Sequence, residues 1–149
     1  MATVDTMNGT KLLIQPGDGA DPEVFANDCM INSERGIAFQ VDTNEFIVPD
    51  CDNPSDPAWK EVTKDGLSAT ISGSGLLHTT STEEWFGWLA QEDPRNIRIV
   101  IGVDVAKGGG YFEGSFHLVS FEITGNRGEK SQVSLSLVST GVITWTDAT

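Results

Sequence analysis

The sequence is poor in cysteine, histidine and basic residues, and each shortage argues against a class of function. The 149 residues include only two cysteines and two histidines, which lack the close pairing that zinc sites use. Lys and Arg number 9 against 22 Asp and Glu, for a formal net charge of −13. Because phosphate contacts need cations, this balance disfavours nucleic-acid binding. We therefore expect no disulfide scaffold, no metal site and no surface that grips phosphate.

Long apolar runs and catalytic motifs are also missing. No apolar stretch reaches the ~20 residues that a membrane span requires, and residues 1–14 have neither the basic start nor the apolar run of a secretion signal. No nucleophile motif surrounds Cys29 or Cys51, and His78 and His117 fall in predicted strands. We expect a soluble, non-catalytic protein without a cofactor, made in a reducing cytoplasm. Cys29 is expected to be a small apolar filler.

The chain does contain a dense alternation of apolar and polar residues, which indicates β-strands. Its length fits one domain over residues 1–149. The final two segments flank a Gly-Asn-Arg-Gly turn and predict a long hairpin, with a phase slip near Leu118 that indicates a bulge. The alternation predicts strands over residues 11–15, 23–31, 37–42, 67–77, 96–105, 110–124 and 132–146.

Residues 81–92 break this alternation and predict one helix. Ser81 and Glu84 have the spacing of a capping box, and Trp85 and Trp88 belong to one broad apolar face. We expect both tryptophans to pack into the core between helix and sheet. The predicted fold is mainly β, an antiparallel sandwich or barrel-like core with one flanking helix.

Residues 42–65 differ from the rest in being rich in aspartate and proline, with one short strand predicted at residues 45–48. A structureless loop of this length is usually functional or an interaction arm, and an exposed tryptophan on it would suit an interface anchor. A calcium-loop spacing begins at Asp50, but the turn glycine is absent, which favours a solvated acidic loop. Trp145 is expected to end the last core strand instead. The predicted contact residues of this arm are Asp50, Asp52, Asn53, Asp56 and Trp59.

The order of these segments resembles the major tail tube proteins of long-tailed bacteriophages and gene transfer agents. The segments that carry the resemblance are SATISGSG at residues 68–75, the pattern FxGxFxLxxFEIxG at 112–125 and the pattern SLxSxGxIxW at 136–145. It covers residue 10 to the end of the chain. The resemblance implies that six copies close into a ring and that rings stack into a tube of the virion tail, assembled in the host cytoplasm, with other tail proteins at the tube ends.

In such a tube, DNA passes without specific binding, so we expect a lumen with net negative charge and small hydroxyl side chains such as Ser68 and Ser72. Two alternatives stay open: a carbohydrate-binding β-sandwich with Trp59 as a sugar platform, and a secretion-system tube protein of related fold. The acidic residues on predicted wet strand faces, and therefore the lumen candidates, are Asp42, Asp104, Glu113 and Glu122.

Overall fold

The computed structural model describes residues 2–20 and 22–149, and its main element is one antiparallel sheet of six strands. The strands follow the order β1-β4-β5-β6-β3-β2. The two edge strands also approach each other, so the sheet curls into a barrel-like form. The strands are β1 (Leu12–Pro16), β2 (Glu34–Ile47), β3 (Lys60–Leu76), β4 (Arg95–Ile101), β5 (Gly110–Thr124) and β6 (Gln132–Asp147).

One apolar core fills the inside of the curled sheet. Alternate residues of the central strands point into it, so Ile97 and Ile99 of β4 and Leu135 and Leu137 of β6 are buried. The intervening residues face outwards, as the period of two along a strand requires. Met30, from the segment between β1 and β2, is completely buried in the same cluster.

The helix α1 (Thr82–Ala90) packs against β5 and supplies two large side chains to the core. Trp85 and Trp88 are both buried, with their ring centroids 5.4 Å apart. The predicted helix and the core placement of its tryptophans are confirmed. The helix ends at Ala90, two residues before the predicted end.

The predicted capping box of this helix is wrong. Ser81 already has helical backbone angles, because it ends a 3-10 turn (Thr79–Ser81), and its side chain makes no capping hydrogen bond. Glu84 has a different partner: its carboxylate lies 3.1 Å from the Arg95 guanidinium, which stacks over the Trp88 ring at 5.6 Å. Glu84, which the sequence assigned to the helix cap, therefore contacts β4 instead.

The predicted hairpin between β5 and β6 is confirmed along its full length. Its register shifts twice, between Glu113 and Ser115 and between Leu118 and Ser120. The second shift is the bulge that the phase slip near Leu118 predicted. The loop that joins the strands contains Gly128 with a positive φ of 86°, which glycine adopts without steric cost.

Two predicted strands are wrong in extent. The strand predicted over residues 96–105 ends at Ile101, because the Gly102 N–H donates to the Lys11 carbonyl and the Val103 N–H turns back to the Ile101 carbonyl. Residues 23–31 form no strand in the part of the chain that the structure describes; one isolated bridge joins Gly17 to Phe25. Both strand predictions rested on the alternation of apolar and polar residues. A strand forms only where its backbone also pairs with a neighbouring strand.

Three individual placements also differ from expectation. Cys29 is exposed, as is Cys51, so it fills no core position. Trp145 is 41% exposed and lies outside the buried cluster, because β6 runs beyond the core at that point. His78 precedes the 3-10 turn instead of lying in a strand, while His117 lies in β5 as predicted.

Candidate assembly surfaces

Residues 42–65, the arm, form a paired β-hairpin, of which the sequence predicted only a short strand at residues 45–48. Residues 43–47 of β2 pair with residues 60–64 of β3, and only residues 48–59 form an irregular tip loop. A bulge opposite Asp42 separates this hairpin from the part of β2 and β3 that covers the core. Since β3 pairs with β6 only from Thr70 to Leu76, the arm extends from the sheet as two strands.

The arm exposes apolar side chains that have no core of their own. Ile47 and Val62 lie on one face of the arm and Phe46 lies on the other, and all three are exposed. An isolated two-stranded hairpin is at best marginally stable in water, and adjacent exposed apolar residues mark interaction sites. Phe46 and Ile47 lie within the short strand predicted at residues 45–48, whereas local pattern did not predict the strand that carries Val62.

The tip loop holds the predicted contact residues, and the structure keeps them within one short segment. The carboxylate of Asp50 accepts the Asp52 N–H at 2.9 Å, and the Asn53 carbonyl accepts the Asp56 N–H at 3.1 Å. These local hydrogen bonds shape the turn and leave its carboxylates at the surface. Trp59, at the end of the loop, is 88% exposed and is thus available to another chain.

The outer face of β2, β3, β6 and β5 forms a second surface, here named the hydroxyl face. Residues directly opposite in an antiparallel pair share a face, so Ser72 aligns with Ser136 and Ser120 across three strands. Ile71 and Leu137, their neighbours along the strands, point into the core. The hydroxyl face consists of Glu34, Gly36, Ala38, Gln40, Ser68, Thr70, Ser72, Ser74, Leu76, His117, Ser120, Glu122, Thr124, Gln132, Ser134, Ser136 and Val138.

The hydroxyl face carries few large side chains and no positive charge. Its polar groups are mostly hydroxyls, its charged groups are Glu34 and Glu122, and it includes neither Lys nor Arg. Arg35, between Glu34 and Gly36, points away from it, since its paired residue Gly73 is on the core side. The β3 part of the face follows the predicted serines, and the alternate serines of β6 extend it.

The other two strands are covered on their outer side. The Arg98 guanidinium of β4 lies between two aromatic rings, 4.0 Å from the Phe25 centroid and 4.5 Å from that of Tyr111. Phe25 belongs to the loop after β1, in which Asp18 accepts the N–H groups of Ala20 and Val24. These hydrogen bonds lower the pKa of Asp18. The uncovered outer face is therefore four strands wide.

The four acidic residues predicted to line the lumen lie at four different places in the structure. Glu122 lies on the hydroxyl face, and Asp42 lies at the bulge where the arm begins. Glu113 makes an ion pair with Arg98 at 3.4 Å, near the covered strands. Asp104 precedes the 3-10 turn that follows β4 and belongs to no strand.

The described residues contain no cluster of three or more His, Cys, Asp or Glu side chains that could hold a metal ion. Within residues 2–20 and 22–149, no helix combines the length and hydrophobicity needed to cross a membrane. What the described surface does offer is an arm with exposed apolar groups and a wide polar sheet face.

Comparison with solved structures shows the same fold in tail assemblies. The chain is similar to a protein of the native gene transfer agent virion, with a TM-score of 0.72 at 19% identity over 95% of this chain and 99% of that one. A chain of an empty gene transfer agent tail, refined with C6 symmetry, gives a TM-score of 0.74 at 19% identity and the same coverage. The SPP1 tail tube gives 0.61 at 11% identity, over 96% of this chain and 80% of that one.

Comparison by sequence matches the chain to a family model, whereas no curated protein sequence matches it. The family model described as phage tail tube protein matches residues 6–145, which is nearly the whole chain and includes the arm, the hydroxyl face and the helix. The chain therefore belongs to the phage tail tube protein family, the structural subunits from which viral tail tubes are built.

Proposed function

We propose that this protein is the non-catalytic repeating unit of a virion tail, in which six copies close into a ring and rings stack into a tube that conducts DNA. The observation that carries the proposal is the four-stranded outer face, which is polar and uncovered although it lies over a packed core. Sixfold symmetry is taken from the similar gene transfer agent tail. In this proposal the hydroxyl face forms the wall of the tube, and the free strand edges and the arm join the subunits.

The free strand edges suggest how the ring closes. β2 is an edge strand, and β4 pairs with β5 only as far as Phe116, so residues 117–124 of β5 also have one unpaired edge. These two edges flank the hydroxyl face on opposite sides. Unpaired edges tend to pair with other chains, and joining β2 of one subunit to β5 of the next is a head-to-tail contact that closes by rotation.

The dimensions of such a ring fit its task. Six subunits with four strands each, spaced about 4.8 Å apart, close a wall roughly 37 Å across, which leaves room for duplex DNA inside its side chains. If the hydroxyl face lines the lumen, passing DNA meets hydroxyls and the carboxylates of Glu34 and Glu122. Without cations to displace its counterions, DNA is not held.

The arm would join neighbouring subunits or rings. Its exposed Phe46, Ile47 and Val62 gain a buried environment only when another copy covers them. Other tail proteins would bind at the two ends of the tube, where the last ring leaves these surfaces open. Assembly would take place in the host cytoplasm, before the virion is complete.

Electron microscopy of the purified protein tests the proposal. We expect rings or tubes of uniform width whose class averages have sixfold symmetry. A protein that stays monomeric at every concentration, ionic strength and pH would contradict it.

DNA retention tests the lumen assignment separately. The double variant Ser72→Arg, Ser136→Arg should make tubes bind DNA with an affinity that falls steeply as salt rises. The matched control is Glu92→Arg, which changes the charge by the same two units at an exposed residue beyond the helix. Equal DNA binding by both variants would place the hydroxyl face outside the lumen.

A further inference from the structure

A groove opens at the foot of the arm, where β3 and β6 part. Their last pair joins Thr70 to Val138, after which β3 continues with β2 alone and β6 with β5 alone. The Ala69 N–H donates to the Ser139 hydroxyl at 2.8 Å and closes the base of the fork. The space between the two hairpins has a volume of about 430 Å³. We name it the fork groove; its main lining residues are Phe39, Leu67, Phe112, Val142, Ile143 and Trp145.

The fork groove is apolar and open to solvent. Leu67 is 85% exposed and Val142 is 82% exposed, on opposite walls. Three aromatic rings form a contiguous floor, with centroids of Phe39 and Phe112 4.9 Å apart and those of Phe112 and Trp145 4.7 Å apart. Such an exposed apolar concavity is costly in water and is typical of binding sites.

The local backbone is shaped to present this surface. β6 has a bulge between Thr140, which pairs with Ser115, and Thr144, which pairs with Glu113. Within this bulge, Gly141 takes a positive φ of 87°. A Cβ at Gly114 would come within 2.9 Å of Ile143, so glycine allows the bulge to close against β5. The bulge directs Val142 outwards instead of continuing the regular sheet.

The most exposed aromatic side chain among the described residues lies on the arm. Trp59 has the highest exposed fraction of the large apolar residues whose exposure is described here, at 88%. It cannot reach its own groove: the strand from Lys60 to Leu67 is held by pairing with β2, and its seven steps span about 23 Å. Any groove that receives this side chain must therefore belong to another copy.

One charge pair accompanies the contact, although the tip loop as a whole is acidic. Asp147 accepts the Trp145 Nε1–H at 2.9 Å, so a carboxylate lies beside one lining residue of the groove. The residue next to Trp59 is Lys60, whose ammonium lies 3.7 Å from the Glu45 carboxylate in a solvent-exposed contact. Surface ion pairs of this kind contribute little, so Lys60 can exchange Glu45 for Asp147 of the receiving copy.

We propose that the fork groove of each subunit receives the Trp59 side chain of a second copy. The inference rests on the proposed self-assembly and names the contact that the arm makes in it. The contact is head-to-tail, because the donor residue and the receiving groove are different surfaces of the same chain. Burial of an aromatic anchor in a partner pocket is the usual form of an interface hot spot.

Site-specific cross-linking tests the contact. In a background with Cys29→Ser and Cys51→Ser, one chain carries Trp59→Cys and a second carries Val142→Cys. We expect a short bis-maleimide to give a covalent dimer from the assembled mixture and much less from either chain alone. The matched control replaces Val142→Cys with Phe86→Cys, at a site that is 61% exposed on the outer face of α1.

A second measurement keeps the test valid if Trp59→Cys weakens assembly. The Trp59 contribution to fluorescence, obtained by comparing wild type with Trp59→Phe, should move to shorter wavelength when rings form. Val142→Asp should raise the concentration needed for assembly at least about tenfold, whereas Phe86→Asp should leave it nearly unchanged.

Two outcomes would overturn the inference while leaving the proposed function intact. In one, tubes form but Trp59→Cys links to Phe86→Cys as readily as to Val142→Cys. In the other, tubes form and the Trp59 emission does not shift. If the wild type forms no ring or tube under any condition, the proposed function fails and the contact fails with it.

Discussion

The body and the arm are made from the same two strands, yet their side chains have opposite environments. In the body, β3 lies between β2 and β6, and Ala69 and Ile71 are completely buried. In the arm, past the bulge at Asp42, β3 has only β2 as a neighbour, and Val62 is exposed. Beyond the bulge the backbone pairing of β2 with β3 resumes and continues to Ile47 and Lys60. Burial therefore stabilises the body within one chain, whereas the arm gains equivalent burial only from a second chain.

This difference explains how one chain serves as both a folded unit and a joint. A subunit must fold before it assembles, so its core has to be complete without neighbours. Its joining surface must stay apolar enough to bind, yet its exposed edge must not aggregate. The acidic tip, with Asp50, Asp52 and Asp56 and no Lys or Arg between residues 48 and 59, adds the like-charge repulsion that restrains non-specific contact.

The largest expected effect lies in the body. Trp88→Ala should lower the free energy of unfolding by about 3–5 kcal/mol, because a fully buried ring leaves a cavity. Phe86→Ala, two residues earlier on the exposed side of the helix, should change it by less than about 0.5 kcal/mol. Chemical denaturation of the monomer measures both. Equal effects would mean that α1 does not pack on the sheet as described.

A smaller effect is expected at the β6 bulge that borders the fork groove. Gly141→Ala should cost about 1 kcal/mol, since a φ of 87° strains any residue with a Cβ. Gly9→Ala, where the added carbon would meet no atom within 4 Å, is the control and should be close to neutral. Thermal melts of the two variants measure the difference in stability. Equal melting temperatures would show that the bulge accommodates alanine without strain.

The arm should contribute still less to monomer stability. Replacing residues 48–59 with Asn-Gly joins the paired residues Ile47 and Lys60 through a two-residue turn. The unfolding free energy of the monomer should change by less than about 1 kcal/mol, while ring formation is lost. An unfolded monomer would contradict the division into body and arm; intact tubes would contradict the assembly role of the tip.

The smallest effect concerns the loop that covers β1 and β4. Two backbone N–H groups hold the pKa of Asp18 below its ordinary value. Because the folded pKa is lowered, this stabilisation is present above the unfolded pKa and is lost as pH falls through the folded one. An NMR titration should give the Asp18 carboxyl a midpoint below the ordinary value of an aspartate side chain. A midpoint at the ordinary value would show that the loop is open in solution.

Much of the fold could be predicted from the sequence, because local pattern and structure agree in the body. β5, β6 and the helix tryptophans lie where alternation and helical spacing placed them. The failures share one cause: alternation reports that a segment suits a strand, but pairing depends on a partner. Residues 23–31 alternate without a partner beyond one bridge, whereas residues 43–47 and 60–64 lack a core yet pair with each other.

The sequence by itself determined the class of the fold, the buried helix face, the acidic tip and the resemblance to tail tube proteins, since these depend on residue type and near-neighbour spacing. Only the tertiary structure decided which serines align across β3, β6 and β5, because register is a relation between distant segments. It also placed Asp104 off the sheet and brought Phe39, Phe112 and Trp145 together in one groove. Those groupings depend on strand order and on where β3 and β6 separate, which no local spacing specifies.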